Sequence, residues 1–526
     1  MVCMWTSRSN ETGRSSPTGA HIMKTVSVGM NLTIADILAV GNGTAKAVLE
    51  KETCGRIEAA NALVKKYTDG GQETAVYGVN TGFGALAEHH IDKSDLEKLQ
   101  RNLIRSHACG TGEPLSEPVV RMMLLLRANV LALGHSGARL VVVQRLLDFL
   151  EYGIHPVIPS RGSVGASGDL APLAHLALPL IGEGEVSYQG KQMPADKALA
   201  EVGLTPITLE AKEGLSLING TQAMTAVGIL AFQVAQRAVR YANVVGAWSL
   251  DALLGTAVAF DTRINKLRPH PGQERCSSII RDLLVDSEIN QSHTDCEKVQ
   301  DPYSLRCMPQ VHGAVWGALD HIGEVLERES NSVTDNPLVF PDTGEFISGG
   351  NFHGAPVAFA LDYLAQVMTA LMSISERRIE QLVNPNLSSG LPAFLVANTG
   401  LNSGLMIAQV SAASLVTEGK VLSHPASVDS IPSSANREDH VSMGMTAAVK
   451  ALTVVDYVEK VLAIESLCAA QGIDLRCPLK PGPRLQQIHD SFREKVPFLT
   501  EDTHLAPHIQ ASVEWLRSED WAASLP

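Results

Sequence analysis

The sequence predicts a mainly α-helical protein, a large bundle of long helices, and three observations carry that expectation. Capping-box spacing appears just ahead of apolar residues, apolar stripes at steps of three and four run through several long segments, and strand character is confined to two short stretches. The length suits such a bundle. With 526 residues, 45% hydrophobic and 19% charged, the chain can bury a sizeable core and does not read as disordered.

Taken in chain order, residues 1–23 are polar, rich in Ser, Thr and Gly, and lack the apolar core of a signal peptide. They read as a disordered leader or tail, with a natural start at Met23 or Met30. Thr33-Ile-Ala-Asp36 and Ser94-Asp-Leu-Glu97 both have capping-box spacing, and Leu96, Leu99, Leu103 and Ile104 follow on one helical face. Residues 117–133 and 137–152 predict two further helices broken at Gly134, and 185–193 a small hairpin. The most apolar long stretch, 242–260, carries Asn243 and Asp251 inside it, which fits a buried core helix better than a membrane span. Val311, Val315, Leu319, Ile322 and Leu326 form a helical stripe. A second hairpin is expected at 338–348 around Asp342-Thr343-Gly344, and 439–471 is again helical, rich in Ala, Val and Leu. No repeat recurs at a period of 20–50 residues.

Charge and cysteines exclude several functions. Lys and Arg number 42 against 56 Asp and Glu, so the net charge is −14, and aromatics are 5%. An acidic chain with few stacking rings is not a general nucleic-acid binder. Eight scattered cysteines without a CxxC pair give neither a disulfide framework nor a structural zinc site. The expected compartment is the cytoplasm, with neither a nucleic acid nor a membrane as partner.

The most informative segment runs from Gly162 to His175, GSVGASGDLAPLAH. A glycine-rich turn entering a helix, capped by Asp169 and carrying Pro172 in its first turn, accounts for Gly, Asp and Pro but not for Ala166-Ser167-Gly168. The order G-x-S-G-D fails the G-x-S-x-G requirement of a hydrolase nucleophile, and no Walker A loop occurs. Ala-Ser-Gly permits a different chemistry. Gly168 has no side chain, so its nitrogen can approach the Ala166 carbonyl closely enough to close a five-membered ring. Loss of water from ring and Ser167 then leaves an exocyclic methylidene, an electrophile made from backbone, facing the positive end of the helix that follows.

This segment resembles the prosthetic-group segment of the aromatic amino acid ammonia-lyase and aminomutase family, which forms 4-methylidene-imidazole-5-one (MIO) from Ala-Ser-Gly. Five other segments are similar in the same order: Tyr77-Gly-Val-Asn-Thr-Gly-Phe-Gly84, Lys212-Glu-Gly-Leu-Ser-Leu-Ile-Asn-Gly-Thr221, Gln300-Asp-Pro-Tyr-Ser-Leu-Arg306, Gly349-Gly-Asn-Phe-His353 and Glu438-Asp-His-Val-Ser-Met443. The resemblance covers roughly residues 28 to 480. It implies the ammonia-lyase fold: a mixed N-terminal MIO-bearing domain (24–220), a central helical bundle (221–480) and a C-terminal helical segment (481–526). It also implies a homotetramer whose active sites draw on more than one subunit, so that Tyr77 and Glu438 need not share a chain with Ser167. MIO from Ala166, Ser167 and Gly168 would be the only cofactor, with no dissociable one.

Eliminating ammonia is hard because an amine leaves poorly and the β-proton is barely acidic, so the reaction needs an electrophile and a base. By resemblance Tyr77 is the base. An ordinary tyrosine has a pKa of about 10, so positive charge or donated hydrogen bonds must favour its phenolate. Arg306 matches the fork that grips the substrate carboxylate, Asn219 the side chain that orients substrate and MIO. Gln300, Tyr303, Gln310 and Phe352 match residues that contact the substrate. For the substrate side chain, Ser106-His107 resembles histidine ammonia-lyases, whereas phenylalanine-specific relatives tend to place Phe-Leu here and tyrosine-specific ones His-Leu. Glu438 points the same way, since the histidine enzymes carry a Glu and many others an amide. A carboxylate facing only a phenyl ring would be poorly compensated. One departure is Ser388-Ser389-Gly390, a residue longer than in typical histidine enzymes and similar in length to some tyrosine aminomutases. The expectation is therefore a histidine ammonia-lyase, with a phenylalanine or tyrosine ammonia-lyase or an aminomutase as the alternative. The fumarase-type signature of another helical lyase class is absent. His89 and His90, beside the Tyr77 loop, are left between a lid and a solvated surface pair.

Overall fold

The structure, a computed structural model, describes residues 23–69, 76–294 and 298–525. The expected leader lies outside these residues apart from Met23. Five long helices form the centre: Gln222–Ala252, Met308–Ser330, Ala355–Val383, Met406–Leu422 and Gly444–Asp474. The Gly444–Asp474 helix lies at the heart of this group, with Gln222–Ala252 and Ala355–Val383 packed along it. These helices are apolar nearly all round, which is what burial on several sides requires. The charged residues kept inside are paired. Arg378 donates from Nε and Nη2 to Glu465, at 2.5 and 2.9 Å, and Glu465 also accepts from Ser249 and Ser375. A buried pair of this kind fixes the register of two helices more than it adds stability.

Most expected elements form, and the exceptions have local causes. Thr33 caps the Ile34–Gly41 helix through a reciprocal bond with Asp36. Ser94 does not cap its helix. A tight turn over Lys93–Asp95 precedes Leu96–His107, so Ser94 lies inside that turn and no side-chain cap bond forms. The pair expected at 117–133 and 137–152 appears as Glu117–Ala132 and Leu140–Tyr152. Gly134 turns the chain between them in a left-handed conformation, where a Cβ would meet the Arg56 backbone at 3.0 Å. The helix expected from 439 starts at Gly444, after Met443 in a left-handed conformation. The stripe from Val311 to Leu326 lies in the Met308–Ser330 helix, with Val315, Leu319, Ile322 and Leu326 buried.

The apolar stretch 242–260 is not one helix. Its first part ends Gln222–Ala252, fully buried, and a separate turn covers Ala257–Phe260. Among the described residues one helix, Ala355–Val383, is long and apolar enough to cross a membrane, and it packs inside the bundle. Both hairpins form, as Glu185–Tyr188 with Lys191–Pro194 and Leu338–Phe340 with Glu345–Ile347. Three pairings were not expected: parallel Lys24–Val28 with Ala45–Leu49, antiparallel Thr111–Pro114 with Pro159–Arg161, and Ile154–Pro156 on the Glu185 strand. Strands of three to five residues are too short to leave a pattern that can be read. Among the described residues every cysteine is free and no cluster of potential metal ligands occurs.

Candidate active site

The stretch 162–169 enters the Leu170–Ala177 helix and is held against the start of Gln222–Ala252. Gly168, at φ +72°, pairs with Gly220, and Asp169 N donates to the Gly220 carbonyl at 2.7 Å. A Cβ on Gly168 would lie 2.1 Å from that carbonyl oxygen, so only glycine fits. Asp169 stands at the cap position but does not cap, contrary to expectation. Its carboxyl instead accepts from Met224 N at 2.8 Å and Ser163 Oγ at 3.2 Å. Burial pushes this carboxyl up to about 7, against the pull of those donors.

A cavity of about 1120 Å³ opens above this turn, and Tyr77, His107, Ser167, Asn219, Phe352 and Glu438 all line it. Tyr77, Ser167 and Glu438 thus meet within one chain. Ser167 Oγ donates to Glu438 Oε1 at 3.0 Å, and Glu438 Oε2 accepts from Ser433 Oγ at 2.6 Å. Met443 N and Ser442 N donate to the carbonyls of Val164 and Gly165, at 2.8 and 3.3 Å, which stitches the Glu438 segment to the Ala-Ser-Gly turn. The Tyr77 hydroxyl accepts from Gly84 N at 3.2 Å, and its ring meets Phe83 edge-on. Burial raises its pKa above the usual phenol, the Glu438 charge adds to this, and the Gly84 N–H opposes it.

His107 ends the Leu96–His107 helix, with Nδ1 2.9 Å from the Leu103 carbonyl. A carbonyl only accepts, so the hydrogen-bond network assigns the proton to Nδ1 and leaves Nε2 an acceptor. Burial holds this imidazole below its ordinary pKa and so neutral. Asn219 ends the short Glu213–Ile218 helix. Its Nδ2 faces Asp335 Oδ1 at 3.3 Å and the Asn336 carbonyl at 3.2 Å.

Gln300, Tyr303, Arg306 and Gln310 are elsewhere. They lie at and beside the start of the Met308–Ser330 helix and do not line the cavity. Tyr303 is 70% exposed, with the Arg306 guanidinium 4.6 Å over its ring and Arg306 Nε donating to the Asp301 carbonyl at 3.0 Å. The Ser388–Gly390 turn packs under Leu253 and Arg476 and does not shape this cavity either. His89 and His90, exposed, stand in the cavity wall together with Ser434 and Arg437. Arg437 sits directly before Glu438, a signal that sequence reading passed over. Lys212 heads one of the family-like segments, but its pairing with Asp335, buried behind Asn219, carried no signal, because nothing in a sequence says which charged residues will be buried together.

A helical bundle that brings a tyrosine hydroxyl, a carboxylate and a cyclisable Ala-Ser-Gly turn to one cavity has the apparatus of a carbon–nitrogen lyase. Comparison with known proteins agrees: the family model for aromatic amino acid lyases matches residues 32–494, and the chain belongs to that family. The chain is 55% identical over 497 residues to a histidine ammonia-lyase of Myxococcus xanthus (strain DK1622), covering 94% of this chain and 97% of that protein. Among solved structures it is similar to histidine ammonia-lyase from Trypanosoma cruzi, with a TM-score of 0.87 and 45% identity over 95% of this chain and 94% of that one. It is also similar to tyrosine aminomutase from Streptomyces globisporus, with a TM-score of 0.89 and 36% identity over 95% and 98% of the two chains.

Proposed function

We propose that the protein is a histidine ammonia-lyase, converting L-histidine to trans-urocanate and ammonia. The observation that carries this reading is the pairing of two hydrogen-bond acceptors in the cavity wall, His107 Nε2 and Glu438. An imidazole N–H or a phenol O–H can donate to either, and a phenyl ring to neither. A buried acceptor left without a donor costs about 1–3 kcal/mol, which favours histidine over phenylalanine. Glu438 has a second reason to suit this task. Its Oε1 accepts from the Ser167 hydroxyl, and once that hydroxyl has left as water the oxygen is free for the substrate.

The Ala166-Ser167-Gly168 turn fits MIO: Gly168 is packed so tightly on the Gly220 carbonyl that no side chain fits, and Asn219 Oδ1 is buried without a partner. MIO would supply the electrophile that makes the amine a leaving group. Tyr77 takes the β-proton, Asn219 orients the reacting nitrogen, and Phe352 packs on the substrate. Burial outweighs the single hydrogen bond donated to Tyr77, so the positive charge that favours its phenolate arrives with the substrate ammonium and a second copy of the chain. That second copy supplies Arg306 as the carboxylate fork, with Gln300, Tyr303 and Gln310 around it, in a cytoplasmic homotetramer. Supporting the assembly are the exposed apolar residues Phe359 and Tyr363 on one long helix and Ile407, Val410 and Val421 on the next.

Incubation with L-histidine, L-phenylalanine and L-tyrosine, with Ser167→Ala as control, tests the reading by ultraviolet spectra. Urocanate alone, abolished in the variant, is the expected result. Cinnamate, coumarate or a β-amino acid would overturn it in favour of another lyase or an aminomutase of the same family.

A further inference from the structure

Asn219 has one amide and two faces, and the structure fixes which atom is on which. Its Nδ2 is directed at two groups that only accept, Asp335 Oδ1 and the Asn336 carbonyl, so the amide cannot be turned over without setting oxygen against oxygen. Its Oδ1 therefore points the other way, buried and with no partner. A buried carbonyl without a donor is costly and calls for a reason. Asp335 is itself held in place. Its Oδ1 also accepts from Asn336 N at 2.7 Å, and its Oδ2 accepts from Lys212 Nζ at 2.8 Å. Lys212 and Asp335 are both completely buried, and the ammonium has Ser216 Oγ as a second acceptor at 3.1 Å. Ser216 Oγ donates in turn to the Ser136 carbonyl at 2.9 Å. The backbone of Asn219 is pinned as well, its carbonyl accepting from Arg127 Nη1 at 2.9 Å.

We propose that Lys212 and Asp335 are positioning residues that set the Asn219 amide with Oδ1 toward the reacting groups, as an acceptor for the N–H of the amine that leaves. The proposal rests on the lyase reading above. Lys212 anchors the Asp335 carboxylate, the carboxylate anchors Nδ2, and Oδ1, on the opposite side of the amide, is left as a bare buried acceptor in a residue that lines the cavity with Ser167. A carboxylate is required in the middle because every group turned toward it donates: Lys212, Asn336 N and Asn219 Nδ2. In Asp335→Asn, Lys212 claims the one oxygen. The new NH2 then faces two donors, Asn219 Nδ2 and Asn336 N, so Nδ2 keeps only the Asn336 carbonyl and the Asn219 amide is no longer held in one orientation.

A double-mutant cycle on the full-length protein tests this, reading kcat and KM for L-histidine, with intact mass reporting the loss of two waters from residues 166–168. Asp335→Asn is expected to lower kcat by about 10- to 100-fold with KM changed less than about threefold, and to retain the water loss. In the Asn219→Ala background the same substitution should cost less than about twofold, because its target is gone. Equal losses in both backgrounds would make the pair merely structural and overturn the proposal. The exchange variant Asn219→Asp/Asp335→Asn keeps the charge complement and restores an oxygen toward the cavity, so it serves if Asp335→Asn alone does not fold. It should exceed Asn219→Ala in kcat by about tenfold, and a kcat at or below that of Asn219→Ala would count against the proposal. Asn219→Ala with unchanged kcat would instead bring down the reading of the cavity itself.

Discussion

The cavity has a floor and a roof built on different principles. The floor, around Ser167, Gly168, Asn219 and Gly220, is backbone packed on backbone over buried ions: Lys212, Asp335 and Arg127 beneath it are all but inaccessible. The roof is two surface loops, 76–92 and 433–438, joined through the Ser434 hydroxyl and an exposed ion pair of Arg437 with Glu88 at 3.5 Å. Exposed pairs of that kind are worth about 0–1 kcal/mol, whereas breaking a buried pair costs several. The floor is thus fixed to the precision that forming a ring from neighbouring backbone atoms demands. The roof holds Tyr77 with few bonds, as a wall that must admit substrate requires.

The sharpest way to break the contrast is Gly168→Ala. The added methyl would lie 2.1 Å from the Gly220 carbonyl oxygen at a φ that costs a non-glycine residue about 1–2 kcal/mol. The turn must move, which separates the Gly168 nitrogen from the Ala166 carbonyl. Activity should fall below detection and intact mass should show no loss of water, while circular dichroism keeps the helical bundle. A variant that still loses two waters would show that the floor is not as rigid as its packing implies.

Next in size is His107→Phe, on the wall between floor and roof. The substitution removes the Nε2 acceptor and leaves a ring of similar shape. Then kcat/KM for L-histidine should fall by about 10- to 100-fold, and the ratio of L-phenylalanine to L-histidine turnover should rise by at least that factor. Parallel losses for both substrates would mean that His107 supports the Leu96–His107 helix rather than reading the side chain.

Legibility from sequence divides the site another way, between the residues that line the cavity and those that support them. Tyr77, Ser167, Asn219 and Glu438 each sit in a short run whose residue types are demanded by chemistry, so their joint presence in one cavity could be anticipated. The supports under them could not. Lys212 and Asp335 are 123 positions apart, and in a sequence a buried lysine looks like any other. Long helices were readable because an apolar stripe repeats many times. Ser94 shows the opposite case, where a correct capping pattern yields to one tight turn that the pattern does not encode. Gln300, Tyr303, Arg306 and Gln310 mark a further boundary. Their types suit substrate binding, but Gln300 and Tyr303 are exposed, Arg306 and Gln310 half-buried, and none lines the cavity; on the proposed reading another copy brings them to one.

The smallest expected effect belongs to the roof. Ser434, Ala435 and Asn436 are three successive non-glycine residues at positive φ, 48°, 50° and 69°, a conformation that side chains other than glycine rarely take. The turn they make aims the Ser434 hydroxyl at the Tyr77 loop, where Oγ accepts from Ala85 N at 3.2 Å. Ser434→Ala removes that one exposed bond and leaves the Tyr77 contact with Gly84 untouched. A bond of this type is worth about 0.5–1.5 kcal/mol, so the contact between the two loops should weaken several-fold. KM for L-histidine should rise by about two- to fivefold with kcat nearly constant, and amide exchange at 84–88 should quicken by a similar factor. A kcat that falls with KM unchanged would place Ser434 in the chemical step, and the roof would then be as precisely built as the floor.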